Sequence, residues 1–321
     1  MPDTGSEQGD AGMNPKQRHF VLLCAAVAVT LGTNDAVAVV NGTDDFSHRA
    51  VGAILVYEPG SPRGDWVAHC SGFLIHPRVM LTAGHCVQQI QAALDAGVYL
   101  DARVSFQQSP FDPATFVEGD PEASGWLAID EIVNNPDNPD WLNIPEIQEN
   151  WGTWHDQGAL ILTEPVTHIR PLRVPWIPGV VEFVMRIRCE FMSHKPGLCR
   201  PLIVGYGLQG PPPPPSGELQ RRRSVVTSYQ GIDSLFVHTR GDPGDACAGD
   251  SGGAMIMETG RRGHELVVAI LSGPANPFPF PPDCTGGSIQ YRLDTESSIR
   301  FMWDVIFQAE FGHHGHRGPP Q

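Results

Sequence analysis

The chain has 321 residues, of which 41% are hydrophobic, so it can bury one or two packed cores. Its 30 prolines and 35 glycines, together with few long helical patterns, favour an all-β protein that is rich in turns. The net charge of −15 argues against a nucleic acid as partner and fits a surface that keeps an extracellular protein soluble.

The first 38 residues have the pattern of a secretory leader. Basic residues precede an apolar run over 20–31, and Ala36-Val37-Ala38 supplies a cleavage site of small residues. The apolar run is shorter than the roughly 20 residues that cross a bilayer. We therefore expect a secreted protein with no stable membrane association after the leader is removed. The segment before Met13 is polar and acidic, so both Met1 and Met13 stay open as the start.

The cysteine spacing points to disulfides. Seven cysteines occur, at positions 24, 70, 86, 189, 199, 247 and 284. Cys24 lies in the leader, which leaves an even set of six, and in a secreted chain this set indicates three disulfides. No pair has the C-x-x-C spacing of a structural zinc site, so we expect no metal and no cofactor.

Short apolar runs predict the strands of a β-barrel in the first half of the chain. These runs are separated by turn residues and cover 51–56, 71–75 and 79–82. The last run leads directly into Thr82-Ala83-Gly84-His85-Cys86. A histidine that follows a buried strand in this way is a candidate catalytic base.

An acidic candidate follows in the same half. Asp156 comes directly before an apolar strand predicted over 158–162, whereas no apolar run of the right length follows the rival Asp130. Within the segment 87–154 between the histidine and this aspartate, the stretches 110–113 and 134–141 are interpreted as surface loops.

The second half carries further features outside the candidate site. Arg221-Arg222-Arg223 precedes a predicted strand and is interpreted as a solvated strand end, and the prolines at 211–215 as a stiff surface loop. Apolar spacing predicts a helix over about 295–309. The histidines at 313–316 are interpreted as part of a loose tail rather than as a metal site.

The stretch Asp245-Ala246-Cys247-Ala248-Gly249-Asp250-Ser251-Gly252-Gly253 suggests a nucleophile. Glycines beside a serine allow a sharp turn and the close approach of a substrate carbonyl. Backbone amides presented there can stabilise the negative charge that develops during acyl transfer. A serine hydroxyl is a poor nucleophile alone, so it needs a base and a group that orients the base.

His85, Asp156 and Ser251, in this order and in these local contexts, resemble the triad of the trypsin/chymotrypsin-like serine proteases. The resemblance implies an all-β fold of two packed six-stranded antiparallel β-barrels with a C-terminal α-helix. It also implies a protease domain over 39–311, with barrel one at about 39–166 and barrel two at about 180–294. The helix at about 295–309 and a tail over 312–321 would complete the chain.

The resemblance also implies the catalytic roles. Ser251 would attack the scissile carbonyl, and His85 would take its proton and pass it to the leaving amine. Asp156 would orient His85, and the amides of Gly249 and Ser251 would form the oxyanion hole.

A primary specificity pocket is implied as well. Asp245 matches the aspartate that trypsin-like members use to bind an Arg or Lys side chain, although a plain turn role for Asp245 is the alternative. Ser272 and Gly273 stand at the edge that pairs with bound peptide in the family, where Gly273 replaces a tryptophan. Pro274 departs from the family pattern and has no N–H to donate. Ser288 stands near the position where the family keeps a pocket glycine.

Two further features follow from the resemblance. The α-amino group of Val39, freed by leader removal, would pair with Asp250 and so activate the enzyme without a separate propeptide. Cys70 would bond Cys86 and Cys247 would bond Cys284, which leaves Cys189 and Cys199 as a third pair by elimination.

The sequence therefore predicts a secreted, monomeric serine endopeptidase that acts on protein or peptide substrates and cleaves after Arg or Lys. Two alternatives stay open at this point. One is an inactive homologue that serves as a binding module. The other is an active protease with an apolar primary specificity.

Overall fold

The computed structural model describes residues 39, 41–61, 65–140, 154–192, 198–207, 220–241, 244–259, 264–275 and 286–312. The predicted leader, the polyproline run, the histidine-rich tail and Cys284 lie outside these residues. Within them, no helix combines the length and the apolar character that a membrane span needs.

The first half of the chain closes into a six-stranded antiparallel barrel. After a two-residue strand β1 (Thr43–Asp44), its strands are β2 (Val51–Tyr57), β3 (Trp66–His76), β4 (Val79–Thr82), β5 (Asp101–Ser105), β6 (Leu127–Asn134) and β7 (Gly158–Leu162). Strands β2 to β7 pair in the order β2-β3-β4-β7-β6-β5 and close on β2. Every residue of β4 and β7 is buried, as expected for short apolar runs bounded by turns.

A helix, α1 (Gly84–Asp95), follows β4 directly. The sequence did not predict this helix. Val87, Ile90 and Ala93 are buried, and their spacing of three residues places them on one side of the helix. Polar glutamines between them hid this pattern in the sequence.

The second half forms an antiparallel sheet of eight strands. Its members are β8 (Leu202–Gly205), β9 (Arg223–Val226), β10 (Ser228–Ile232), β11 (Phe236–Arg240), β12 (Ala254–Glu258), β13 (Glu265–Pro274) and β14 (Ser288–Arg292), joined by β1. The order is β1-β9-β8-β12-β13-β14-β11-β10. The all-β class is confirmed. Where a second closed barrel was implied, β1 pairs with the edge of β9, and no pairing among the described residues joins β1 to β10.

The crossing between the two halves ends in a helical segment. It comprises α2 (Val180–Met185) and a π-helix (Arg186–Phe191), neither of which the sequence predicted. A disulfide joins Cys189 in the π-helix to Cys199 just before β8. This bond fixes the segment to the start of the second sheet.

The C-terminal helix α3 (Glu296–Phe311) confirms the predicted helix and extends it by two residues. Thr295 caps its N-terminus by accepting a hydrogen bond from the Ser298 N–H at 3.0 Å. Phe301, Met302 and Val305 on one side of α3 are buried in the core of the first barrel. The helix therefore fastens the end of the chain to the first half.

Arg222 is buried, so its interpretation as part of a solvated strand end is wrong. Only 2% of this residue is exposed. Its guanidinium donates to the backbone carbonyls of Asp45, Val51 and Phe106 at 3.0–3.2 Å and to the Tyr206 hydroxyl at 3.0 Å. Fixed carbonyls from separate segments provide the acceptors that a buried cation needs. Arg222 thus links the N-terminal segment, the first barrel and the second sheet.

Candidate active site

Strand pairing brings His85 and Asp156 to the same end of the first barrel. Thr82, the last residue of β4, pairs with Gly158, the first residue of β7. Because the two strands are antiparallel, the residues after Thr82 and the residues before Gly158 leave the barrel side by side. His85 then occupies the first turn of α1, directly beside Asp156.

His85 and Asp156 form a buried hydrogen-bonded pair. The Nδ1 atom of His85 lies 2.9 Å from Oδ2 and 3.2 Å from Oδ1 of Asp156, and the His85 backbone N–H donates to Oδ1 at 2.8 Å. The Ser272 hydroxyl donates to Oδ2. Burial opposes the ionisation of Asp156, but the charge and hydrogen bonds of His85 and the Ser272 hydroxyl outweigh it and lower the pKa of this carboxyl.

A glycine at position 84 is required by the packing beside His85. A Cβ atom there would lie 2.2 Å from Nδ2 of Asn138, which itself donates to Oδ1 of Asn134 at 3.0 Å. Gly158 is under a similar constraint, since a Cβ atom would lie 2.5 Å from Cγ2 of Val87. These two glycines let α1, β7 and the segment around Asn138 meet without a gap.

The loop that carries Ser251 packs against the strands that lead to His85. The Ser71 N–H donates to the Ser251 carbonyl at 2.8 Å, and this carbonyl oxygen lies 3.8 Å from Sγ of Cys86. Gly252 has a φ of 85°, and a Cβ atom there would lie 2.1 Å from Oγ1 of Thr82. Only glycine allows this approach. The serine loop therefore packs against Thr82 and Cys86, which stand just before and just after His85 in the chain.

Two backbone amides beside Ser251 are free of hydrogen bonds in the described part of the chain. The N–H groups of Asp250, Gly252 and Gly253 donate to backbone carbonyls at 2.7–3.0 Å, whereas those of Gly249 and Ser251 have no acceptor among the described residues. Gly249 adopts a φ of 90°, which turns the chain sharply at this point. Free N–H groups around a candidate nucleophile are suited to bind an oxyanion.

Ser71 in β3 is a site residue that the sequence analysis missed. It is fully buried, its hydroxyl donates to the Gly249 carbonyl at 2.9 Å, and the Tyr206 N–H donates to this hydroxyl at 2.8 Å. Ser71 thus fixes the serine loop at both Gly249 and Ser251. A serine inside an otherwise apolar strand, next to Cys70, was the available signal.

Val39 and Asp250 meet in the interior. The Val39 N–H donates to Oδ2 of Asp250 at 2.9 Å, while the N–H groups of Gly207 and Cys247 donate at 2.7 and 2.9 Å. Burial raises the pKa of Asp250 to about 6, although these hydrogen bonds favour the charged form. Val39 has a φ of 35°, which is unusual for a β-branched residue.

Two glycines make room for the Asp250 carboxylate. A Cβ atom at Gly205 would lie 2.3 Å from Oδ1 of Asp250, and one at Gly207 would lie 2.7 Å from Oδ2. The Gly205-Tyr206-Gly207 sequence therefore serves as a cradle for this carboxylate, at the end of β8.

Asp245 is fully buried, which excludes the alternative of an exposed turn aspartate. Its Oδ1 accepts hydrogen bonds from the Ser288 hydroxyl, from the Ala246 N–H at 2.8 Å and from the Thr239 hydroxyl at 3.4 Å. Its Oδ2 is buried and has no hydrogen-bond partner among the described residues. Burial raises the pKa of Asp245, although these donors favour the carboxylate.

The end of β13 contacts both Asp156 and the start of β14. Ser272 contacts Asp156, while Gly273 pairs with Ile289 and Pro274 pairs with Ser288 after a bulge in β13. The structure therefore connects Ser272 to Asp156 as well as to the strand edge. The predicted insert after Pro274, from residue 276 onward, lies outside the described residues.

The disulfide Cys70–Cys86 fixes the residue after His85 to β3. Together with His85, these sulfurs lie close enough to form a set of metal ligands. Because both sulfurs are joined in a disulfide, they cannot act as thiolate ligands. Cys284, the predicted disulfide partner of Cys247, lies outside the described residues.

Comparison with known families gives a match over part of the first half of the chain. The family model described as Trypsin matches residues 56–114, a stretch that runs from the end of β2 past β5 and includes His85 and the Cys70–Cys86 disulfide. A search of the curated proteins gives no match.

Proposed function

We propose that this chain, a relative of the trypsin/chymotrypsin-like serine proteases, is a secreted serine endopeptidase with the triad Ser251, His85 and Asp156. One observation carries the proposal. A buried His85–Asp156 pair lies next to a loop on which Gly249 and Ser251 present free amides beside the Ser251 hydroxyl. The protease domain would extend from Val39 to about residue 311.

The reaction proceeds in two steps, formation of an acyl-enzyme and its hydrolysis. Ser251 Oγ bonds to the scissile carbonyl carbon as its proton passes to Nε2 of His85, and the amides of Gly249 and Ser251 bind the oxyanion. The C–N bond then breaks, the His85 proton goes to the leaving amine, and an acyl-enzyme remains. Water hydrolyses this ester by the same proton route. Asp156 holds His85 through Nδ1 in both steps.

Maturation would occur by removal of the leader before Val39. The new α-ammonium would lie where the Val39 N–H now donates to Asp250, and its charge would stabilise a carboxylate that burial otherwise disfavours. The disulfides Cys70–Cys86 and Cys189–Cys199 support an oxidising, extracellular destination.

Cleavage after Arg or Lys is the proposed specificity. The support is Asp245, a buried carboxylate with one oxygen that lacks a partner among the described residues. A cationic side chain would supply both the charge and the hydrogen bond that this oxygen lacks.

The test uses protein that begins at Val39, with Ser251→Ala as the control. We expect Ser251-dependent labelling by a fluorophosphonate and hydrolysis of peptides with Arg or Lys before the cut. Hydrolysis only after Phe would retain the triad and reject the role of Asp245. Folded protein that is neither labelled nor active would contradict the proposal and favour a binding module.

A further inference from the structure

Asp245 belongs to a buried polar cluster that the catalytic steps do not use. Its other members are Thr239 in β11 and Ser288 and Gln290 in β14, and none of the four residues is more than 4% exposed. Four polar side chains this deeply buried need internal partners, because an unpaired polar group is costly in the interior.

The hydrogen bonds in this cluster have a fixed direction. The Gln290 amide nitrogen donates to the Ser288 hydroxyl at 2.6 Å and to the Thr239 hydroxyl at 3.0 Å. Because an amide nitrogen cannot accept, the hydroxyl protons must point away from Gln290. The Ser288 proton then points to Oδ1 of Asp245. Gln290 therefore directs the Ser288 hydroxyl proton onto one oxygen of the carboxylate, Oδ1.

Two oxygen atoms of this cluster receive no hydrogen bond from the described residues. Oδ2 of Asp245 and Oε1 of Gln290 are both buried and have no hydrogen-bond partner among the described residues. An unsatisfied buried acceptor costs about 1–3 kcal/mol, and more for a charged group. A single ligand that donated to both oxygens would need more than one N–H group, and a positive charge would match the carboxylate.

We propose that Gln290 is a specificity-determining residue that makes the site prefer Arg to Lys. This inference rests on the proposed function. The guanidinium would donate to Oδ2 of Asp245 and to Oε1 of Gln290 together, because its N–H groups are held in a rigid planar fork. A Lys ammonium is a compact point charge on a flexible chain, so it satisfies Asp245 and leaves the Gln290 oxygen unpaired.

The experiment compares kcat/KM for two peptides that differ only in Arg or Lys before the cut. The variant Gln290→Met keeps a similar volume and removes the amide. Since a hydrogen bond to a charged group is lost only for the Arg peptide, we expect the Arg/Lys ratio to fall about 10-fold or more. Ser288→Ala is the matched control, because it removes a donor to Asp245 and should lower both rates alike.

Fluorophosphonate labelling of Ser251 in each variant reports whether the catalytic apparatus is intact. An unchanged Arg/Lys ratio in a labelled Gln290→Met protein would overturn the inference and leave the proposed function standing. Wild-type protein that prefers Lys, or that cleaves only after Phe, would also overturn it. A wild-type protein that is not labelled at all would reject the proposed function itself.

Discussion

The buried carboxylates differ from one another in what surrounds them. Asp156 is stabilised by His85 and Ser272, which lower its pKa, whereas burial dominates for Asp245 and Asp250 and raises the pKa of each. Of these three carboxylates, only Asp156 has, among the described residues, a side chain that can become cationic within hydrogen-bond distance. The other two carboxylates are therefore suited to receive a charge from elsewhere, either a substrate or a new chain terminus.

The Asp250 carboxyl predicts how stability depends on pH before and after leader removal. In the uncut chain its folded pKa of about 6 exceeds its value of 3.8 in the unfolded state, so the folded state binds the proton more tightly. The free energy of unfolding should therefore increase as the pH falls from above 6 towards 4. In protein that begins at Val39, the ammonium lowers this pKa, and the increase should disappear.

Urea unfolding of the two forms between pH 4.5 and 7.5, both carrying Ser251→Ala to prevent autolysis, measures this difference. Removal of the titrating group by Asp250→Asn in the uncut chain should flatten its profile. Parallel pH profiles for the cut and uncut forms would contradict the proposed pairing of Val39 with Asp250.

Gly84 allows a second test at the level of a single residue. Gly84→Ala should reduce the free energy of unfolding by about 1–3 kcal/mol, because the new methyl group overlaps the Asn138 side chain. Asn138→Ala should restore most of this loss when the two changes are combined. Strictly additive effects in urea unfolding would show that the overlap is not the cause.

Among the elements, the segment that leads into β9 also connects separate parts of the chain through its arginines. Arg221 and Arg223 pair with Asp44 of β1 at the surface, whereas Arg222 points inward and connects three separate segments. The neighbouring arginines thus have opposite environments, which alternate as expected for an extended chain.

Substitution of adjacent arginines separates these environments. Arg222→Lys should lower the free energy of unfolding by at least about 2 kcal/mol, since an ammonium cannot reach all the carbonyls that the guanidinium satisfies. Arg221→Lys is the matched control and should change it by no more than about 0.5 kcal/mol. Chemical denaturation of both variants checks this, and equal effects would contradict the role of Arg222.

At the scale of the whole molecule, the candidate site is assembled from both halves of the chain. The first barrel supplies His85 and Asp156, and the second half supplies Ser251, while Ser71 and Ser272 make hydrogen bonds that cross between them. Any change in how the halves pack must therefore change the geometry of the site.

The two described disulfides should consequently behave differently. Replacement of Cys70 and Cys86 by Ala should cost about 2–4 kcal/mol and also lower kcat, because this bond holds the residue beside His85. Replacement of Cys189 and Cys199 should cost a similar free energy and leave kcat/KM within about twofold at temperatures where the protein stays folded. Peptide hydrolysis and thermal unfolding of both variants provide the measurement. Equal losses of kcat in the two variants would contradict the predicted difference between the disulfides.

The sequence predicted most of what depends on local pattern. Apolar runs indicated β2, β4 and β7, and the contexts of His85 and Asp156 singled out two residues that the structure brings into a hydrogen bond. Features that depend on distant partners could not be predicted. Arg222 is buried because carbonyls far away in the chain surround it. Gln290 reaches the Thr239 hydroxyl only because β14 pairs with β11.

The backbone torsion of Val39 gives the proposed maturation a direction. The angle φ describes rotation about the N–Cα bond and is defined by the carbonyl carbon of the preceding residue, so the strained value of 35° exists only while the peptide bond between residues 38 and 39 is intact. Such a torsion costs about 1–3 kcal/mol in a residue other than glycine. Hydrolysis of that bond removes the torsion itself and leaves the valine free to rotate about its new terminus. Cleavage before Val39 would therefore also release backbone strain that the uncut chain holds.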